Sequence, residues 1–188
     1  MAIKIFIDQG HNPNSFNTGA EGFGLREQDI TYRVGRELFA LFAANANFLP
    51  MLSRESEDTV LGYDNQSSLS ARVRAANSFG ADLFLSLHCN ASENPNVSGC
   101  EALVYSKSAT VAYAVAGDIL KRLTLATGLR NRGIFERPNL LVLKKTKMPA
   151  VLVELGFITN RNDATLLSES PGLFALGIYR GVLQYYGL

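Results

Sequence analysis

Both histidines of this 188-residue chain, and one acidic residue within an apolar segment, occupy positions where side chains could perform chemistry. His11 comes shortly after the segment IKIFID, and His88 directly follows DLFLSL. Glu154 lies inside AVLVEL. All three segments have the composition of buried strands. In an open α/β sheet, ligands bind beyond the carboxyl ends of parallel strands. If the three strands are parallel neighbours, these side chains meet in one crevice.

Two imidazoles and a carboxylate form a common ligand set for Zn²⁺, and a catalytic zinc site usually keeps three protein ligands plus a water. A carboxylate inside an apolar strand costs several kcal/mol unless it is paired, hydrogen-bonded or metal-linked. The third ligand need not be Glu154, because Glu27 opens a predicted helix after the Gly-rich segment GAEGFG. Spacing alone leaves three further carboxylates in competition, namely Glu21, Asp29 and Asp8.

Each of these residues also has an ordinary structural explanation. A histidine after a strand is usually a turn residue, a buried glutamate can pair with arginine, and Glu27 could simply stabilise the dipole of its helix. Cys89 adjoins His88, but neighbouring strand residues point to opposite faces, so a thiol nucleophile is not expected. By default Cys89 and Cys100 are expected to be free, buried thiols, and a disulfide between them is the alternative. A metal site is the hypothesis that explains the two histidines and the carboxylate together.

The elements that must position these residues alternate along the chain. Six short apolar segments are predicted as strands: residues 3–8, 48–53, 82–87, 100–105, 140–144 and 150–155. Apolar residues recur at helical spacing from about residue 27, over 69–76 and 111–123, and over 172–187. No linker or repeat divides the chain. We therefore predict a single α/β domain over residues 1–188, with helices on both faces of the sheet.

Composition argues against several classes of function. Eighteen Lys+Arg against seventeen Asp+Glu leave a net charge of +1, which does not indicate a nucleic-acid-binding surface. No apolar run approaches the roughly 18 residues of a membrane span, and the first residues, MAIKIFID, lack the pattern of a secretion signal. Two cysteines are too few for a disulfide framework.

Four segments, in this order, carry a family resemblance: IDQGH (7–11), GLREQD (24–29), SLHCNA (86–91) and MPAVLVELGFITN (148–160). Together they resemble the zinc-dependent N-acetylmuramoyl-L-alanine amidases of bacterial cell-wall remodelling and lysis. The resemblance covers nearly the whole chain, and its last segment is the most specific. It implies a six-stranded, mostly parallel sheet. It also implies His11, Glu27 and His88 as zinc ligands, with Glu154 as the catalytic carboxylate.

The activity implied by the resemblance is hydrolysis of the amide between N-acetylmuramic acid and L-alanine in peptidoglycan, with Glu154 as general base toward a metal-activated water. Asn90 lies two residues after His88, so its side chain can point to the same side and bind substrate. Arg72 and the arginines of residues 130–137 are expected in surface or structural pairs, some of them meeting stem-peptide carboxylates. The rival hypotheses are a zinc peptidase acting within the stem peptide and a non-catalytic peptidoglycan-binding module.

Departures from the family pattern add further expectations. NPNSFN follows His11 in place of the family's GHGG-like turn, so a different loop is expected there. The chain shows neither wall-binding repeats nor an insertion that could form an inhibitory helix. We expect one catalytic domain without a wall-binding domain, acting as a monomer outside the cytoplasm. Because no export signal is recognised, three routes to the cell wall stay open. The protein could be released as a phage lysin, could be exported by an unconventional route, or could have lost its leader by trimming.

Overall fold

The computed structural model describes residues 1–188 and contains eight strands and six helices. The strands are β1 (Ile3–Gln9), β2 (Glu21–Gly22), β3 (Leu25–Arg26), β4 (Phe48–Leu52), β5 (Leu83–Asn90), β6 (Cys100–Val104), β7 (Asn131–Glu136) and β8 (Ala150–Phe157). The helices are α1 (Glu27–Ala43), α2 (Asn65–Phe79), α3 (Thr110–Thr127), α4 (Leu141–Lys145), α5 (Arg161–Glu169) and α6 (Pro171–Tyr186). No helix combines the length and apolarity that a membrane span requires.

Six of the strands form one sheet in the order β4-β1-β5-β8-β6-β7. All neighbouring pairs are parallel except β6 and β8, which are antiparallel. The central strands β1, β5 and β8 are therefore parallel neighbours, so the residues that follow them emerge at the same edge of the sheet. The single-domain α/β class and the six-stranded, mostly parallel sheet are confirmed.

Different helices cover the two faces of the sheet. Helices α1, α3 and α6 pack with one face into a core of 29 buried residues, whereas α2 and α4 contribute to a core of only 10 on the other face. On this second face, the apolar positions give way to polar ones near the carboxyl ends of the central strands. Asp8 pairs with Ser86, and His88 pairs with Glu154. The less covered face is therefore the one that carries the polar residues.

One predicted strand is wrong. Residues 140–144 do not form a strand, because this segment enters the helix α4. The sequence LVLKK places two adjacent buried residues, Val142 and Leu143, before two lysines in the last turn. Cations at that position complement the carboxyl end of a helix. A short apolar run alone does not distinguish the two structures.

The sheet's sixth strand is β7, whose sequence NRGIFE was not predicted as a strand. It lies at the edge of the sheet and is largely exposed, so it needs no apolar run. The sequence prediction also missed α5, although its N-terminus carries a recognisable signal. The Asn160 side chain accepts hydrogen bonds from the backbone N–H groups of Asn162 and Asp163.

Candidate metal centre

His11 lies in the turn that follows β1 and is held there by backbone contacts. Its φ of 69° is in the left-handed region, which residues other than glycine rarely adopt. Its Nδ1 lies 3.2 Å from the carbonyl oxygen of Asn17. A carbonyl oxygen only accepts hydrogen bonds, so Nδ1 carries the proton in this contact. This contact orients the ring and turns Nε2 toward Glu27.

Glu27 is the first residue of α1, and the loop before it folds back to hold its carboxylate. The backbone N–H of Ala20 donates to Oε2 at 2.8 Å, and that of Cys89 donates to Oε1 at 2.9 Å. Gly19 permits this approach, because a Cβ atom there would lie 2.6 Å from Glu27 Oε2. The Glu27 side chain is only 4% exposed. The carboxylate is therefore buried between the loop and the end of β5.

His11, Glu27 and His88 come together at the carboxyl edge of the sheet. Oε1 of Glu27 lies 3.1 Å from His11 Nε2 and 2.9 Å from His88 Nδ1. One potential ligand atom from each residue lies within 4.8 Å of the others. Gly10 permits this close packing, since a Cβ atom there would lie 2.7 Å from the His88 ring. The structure thus brings together the three residues that the family resemblance implies as metal ligands.

The hydrogen-bond donors and acceptors of this cluster are consistent with a bound cation. Burial opposes the ionisation of Glu27, but the contacts with the His11 and His88 rings outweigh burial and hold the pKa of Glu27 well below its usual range. Both ring nitrogens of His11 face acceptors, namely the Asn17 carbonyl and the Glu27 carboxylate. A neutral imidazole donates only one hydrogen bond. A cation between His11 Nε2 and Glu27 satisfies both sides, and nitrogen and carboxylate donors suit Zn²⁺.

The three competing carboxylates are directed elsewhere. Asp8 forms a buried ion pair with Arg72 at 2.6 Å. Asp29 pairs with Arg26 at the surface, at 2.8 Å. Glu21 is exposed on the small β2–β3 hairpin. The geometry therefore leaves Glu27 as the carboxylate nearest the two histidines.

Glu154 lies on β8 with His88 opposite it on β5 and Glu101 opposite it on β6. Its Oε2 atom is buried and has no hydrogen-bond partner. Burial, together with the negative charges of Glu27 and Glu101, raises the pKa of Glu154 to about 8, while Arg137 opposes the shift. An unpartnered, buried carboxyl oxygen is costly and is typical of sites that act on a ligand or an ion.

Asn90, the predicted substrate-binding residue, contacts Glu101. Its Nδ2 donates to Glu101 Oε2 at 3.1 Å, and its Oδ1 accepts from the backbone N–H of Ala91 at 2.9 Å. One further N–H and one further lone pair of this amide remain for a ligand. The role in substrate binding stays a prediction.

A narrow pocket of about 80 Å³ adjoins the two histidines on the less covered face. Its wall includes the apolar side chains of Leu69, Leu140 and Leu141. Leu69 belongs to α2, and the other two lie at the start of α4. A ligand at the candidate metal centre would therefore contact an apolar wall on this side.

Arg72 was expected in a surface or structural pair, and it forms a buried structural pair with Asp8 beside the site. It lies outside the apolar stripe of α2, yet it is only 1% exposed. Nη1 donates to Asp8 Oδ1 at 2.6 Å, and Nη2 donates to the carbonyl oxygen of His11 at 2.5 Å. This arginine therefore fixes the backbone of the first histidine. The available sequence signal was the pairing of an acidic residue in an apolar strand with an arginine in the facing helix.

The two cysteines are free and buried, as predicted. Burial raises the pKa of Cys89 well above its usual value, with smaller contributions from Glu27 and Glu154. Burial also raises the pKa of Cys100 to about 12. Both groups are therefore protonated thiols at neutral pH, which is unsuitable for nucleophilic catalysis.

Comparison with known families gives a match over almost the entire chain. Residues 5–184 match the family described as N-acetylmuramoyl-L-alanine amidase. The chain is 38% identical over 184 residues to the N-acetylmuramoyl-L-alanine amidase CwlM of Bacillus licheniformis, covering 95% of this chain and 65% of that protein. It is 36% identical over 185 residues to the N-acetylmuramoyl-L-alanine amidase LytC of Bacillus subtilis (strain 168), covering 97% of this chain and 35% of that protein. The chain thus spans less than two thirds of the length of either curated relative.

Solved structures give the same result for the fold. The crystal structure of an N-acetylmuramoyl-L-alanine amidase from Clostridium difficile 630 superposes with a TM-score of 0.88 at 28% identity. The superposition covers 99% of this chain and 97% of that one. Almost every element described above therefore has a counterpart in a solved structure.

Proposed function

Because the chain belongs to the N-acetylmuramoyl-L-alanine amidase family, we propose that it hydrolyses the amide bond between N-acetylmuramic acid and L-alanine in peptidoglycan. The observation that carries this proposal is the position of Glu154 beside the cluster of His11, Glu27 and His88. A buried carboxyl group next to a three-residue metal-ligand set is the arrangement that metal-assisted hydrolysis requires.

In this proposal Zn²⁺ is the metal, and His11, Glu27 and His88 hold it. When bound, the ion lowers the pKa of a water molecule toward about 7 and polarises a carbonyl oxygen. The protein prepares the site through the contacts behind each ligand. The Asn17 carbonyl orients His11, and two backbone N–H groups orient Glu27. Such supporting contacts typically change metal affinity or activity by about 10–100-fold when they are lost.

Glu154 is the general base of the proposed reaction. Without a cation nearby, its raised pKa of about 8 leaves much of the group protonated at neutral pH. A cation bound by its neighbours favours the carboxylate form, because opposite charges stabilise each other. The ionised Glu154 then takes a proton from the attacking water and delivers it to the departing amine of L-alanine. Its unpartnered Oε2 is available for these transfers.

The proposal also covers the location of the enzyme, its domain and its partners. Peptidoglycan lies outside the cytoplasmic membrane, so the enzyme acts there. Residues 1–188 form the catalytic domain and act as a monomer. No nucleic acid takes part, in keeping with the net charge of +1.

The variant Glu154→Gln tests the proposed base. It removes the proton acceptor while keeping the size of the side chain, so we expect turnover on purified sacculi to fall about 10²–10⁴-fold. Bound zinc should stay at the wild-type level, because Glu154 is not one of the three ligands. The rate is measured from new amino-terminal L-alanine, and zinc by elemental analysis.

The matched control is Glu21→Gln, which removes an exposed carboxylate on the β2–β3 hairpin and should leave the rate unchanged. Full activity of Glu154→Gln would show that another group is the base. New amino termini on residues other than L-alanine would identify a peptidase of the stem peptide. Binding of sacculi without any cleavage would identify a non-catalytic binding module.

A further inference from the structure

A bulge in the edge strand β7 changes the direction of Arg132. Cys100 pairs with Asn131, but the next residue of β6, Glu101, pairs with Gly133. Arg132 is therefore an extra residue in this strand. Gly133 has a φ of 104°, which other residues rarely adopt. Bulges of this kind re-aim side chains and are frequent beside active sites.

The redirected side chain is held at two points. Its Nε donates to Glu101 Oε1 at 2.6 Å, and its guanidinium carbon lies 5.1 Å from the centre of the Phe157 ring. Glu101 is itself buried, and its other oxygen accepts from Asn90. Phe157 belongs to β8, so the guanidinium reaches from the edge strand back across β6 toward the centre of the sheet.

The outer edge of this guanidinium is free. Nε is the only nitrogen of Arg132 that forms a hydrogen bond within the protein, and the side chain is 29% exposed. Nη1 and Nη2 therefore have no protein partner. Two parallel N–H groups on a fixed plane match the two oxygens of a carboxylate. A buried counter-ion and an aromatic ring thus hold a partly exposed arginine whose Nη1 and Nη2 have no protein partner.

The register places Glu101, which holds Arg132, two strands away from His88. Glu101 lies opposite Glu154, which lies opposite His88. Because neighbouring strands are about 4.8 Å apart, Glu101 lies about 10 Å from His88 along the sheet. An extended peptide spans about 3.3–3.6 Å per residue, so this distance corresponds to about three residues.

We propose that Arg132 binds a free carboxylate of the stem peptide and makes the enzyme selective for stem peptides that carry this charge. Glu101 is the positioning residue that orients Arg132. The inference rests on the proposed function, since the cleaved amide must lie near Glu154 for the peptide to extend toward β7. The carboxylate is that of the residue next to L-alanine or one further along the peptide.

The test compares two preparations of the same sacculi. The free amino groups of both are first acetylated, and the carboxylates of one are then converted to carboxamides with carbodiimide and ammonia. New amino-terminal L-alanine gives the rate. A charge-assisted contact predicts that the wild type has a kcat/KM at least about tenfold higher on the carboxylate form. Arg132→Gln should hydrolyse both forms at the same rate.

The matched control is Arg130→Gln. Arg130 lies two residues before Arg132 and is exposed, so this variant removes an equal charge and should keep the wild-type preference. Arg132→Lys, which keeps the charge but loses the planar fork, serves if the glutamine variant does not fold, and its preference should be reduced. The inference is overturned if the wild type shows no preference or if both Arg132 variants retain it in full. No new L-alanine from either preparation would instead remove the proposed function, and the inference with it.

A second arm locates the carboxylate. Synthetic muramoyl dipeptides are compared that carry either a free carboxylate or a carboxamide on the residue after L-alanine. A preference for the acid that disappears in Arg132→Gln assigns the contact to this residue. A preference seen only with sacculi assigns it to a residue further along the peptide, and both results support the role of Arg132.

Discussion

Asp8 and Arg72 show how residues outside the proposed ligand set control the geometry of the site. The Arg72 guanidinium contacts the Asp8 carboxylate and the carbonyl oxygens of Gln9 and His11, at 2.5–2.6 Å. Burial alone would raise the pKa of Asp8, but Arg72 and a hydrogen bond from Ser86 lower it below its ordinary value. One fully buried ion pair therefore holds the turn that contains His11 against α2.

Removing one partner of that pair should destabilise the protein strongly. Asp8→Asn leaves the Arg72 charge buried and uncompensated, which costs about 3–5 kcal/mol of unfolding free energy. Urea unfolding at neutral pH measures this difference. The control Asp29→Asn breaks the exposed pair with Arg26 and should cost about 0–1 kcal/mol. Equal effects of the two substitutions would contradict the account.

The difference in unfolding free energy between the wild type and Asp8→Asn should change with pH in a definite direction. The folded-state pKa of Asp8 lies below its ordinary value of 3.8, so ionised Asp8 contributes its full stability above that pH. The contribution is lost as the pH falls through the folded-state pKa. The gap between wild type and Asp8→Asn should therefore be full at neutral pH and shrink only below about pH 4.

The predictability of the site residues depends on what positions each one. His11, His88 and Glu154 could be placed from the sequence, because each lies at or near the end of a recognisable apolar strand. Glu27 could be chosen only through family resemblance, since it reaches the site when the preceding loop folds back onto it. The arginines of residues 130–137 were expected, as a group, in pairs or near stem-peptide carboxylates, but the sequence could not single out Arg132, because its direction depends on a bulge between β6 and β7.

At the scale of elements, α3 and α6 pack so closely that glycine is required between them. A Cβ atom at Gly181 would lie 2.4 Å from the Cα of Ile119, and one at Gly177 would lie 2.6 Å from the Cα of Leu123. These are backbone contacts, so no flexible side chain can move aside. The helix pair covers the face of the sheet opposite the polar residues and thereby supports the central strands.

Two glycine-to-alanine substitutions in α6 should have opposite effects. Gly181→Ala forces the two helix backbones apart and should lower the unfolding free energy by about 1–3 kcal/mol, although alanine favours helix formation. A Cβ atom at Gly172 would have no neighbour within 4 Å, so Gly172→Ala should raise the unfolding free energy by up to about 1 kcal/mol. Thermal and urea unfolding measure both changes. A stabilising Gly181→Ala would show that the helices do not pack as described.

Local sequence patterns identified the buried elements better than the exposed ones. Strands β1, β5 and β8 have an apolar composition because helices cover them. The edge strand β7 has no such pattern, and α4 is too short for a helical repeat to be visible. The errors therefore lie where tertiary position, rather than local hydrophobicity, determines the structure.

At the scale of the whole molecule, the site exists because of the strand order. The sequence predicts strand ends that carry polar residues, but it does not predict that β1, β5 and β8 are neighbours. That arrangement brings His11 and His88 to one edge, and α1 crosses behind them so that its first residue reaches the same place. His11 and Glu154, more than 140 positions apart in the sequence, thus lie toward the same edge of the sheet.

The most direct test of the account is the zinc K-edge X-ray absorption spectrum of the protein after chelation and reconstitution, with the metal quantified in the same sample. We predict one zinc ion per chain, with two imidazole nitrogens and a carboxylate oxygen at about 2.0–2.2 Å. His88→Ala should lose bound zinc or show only one imidazole. A protein that retains no zinc, or a zinc shell without imidazole, would contradict the account.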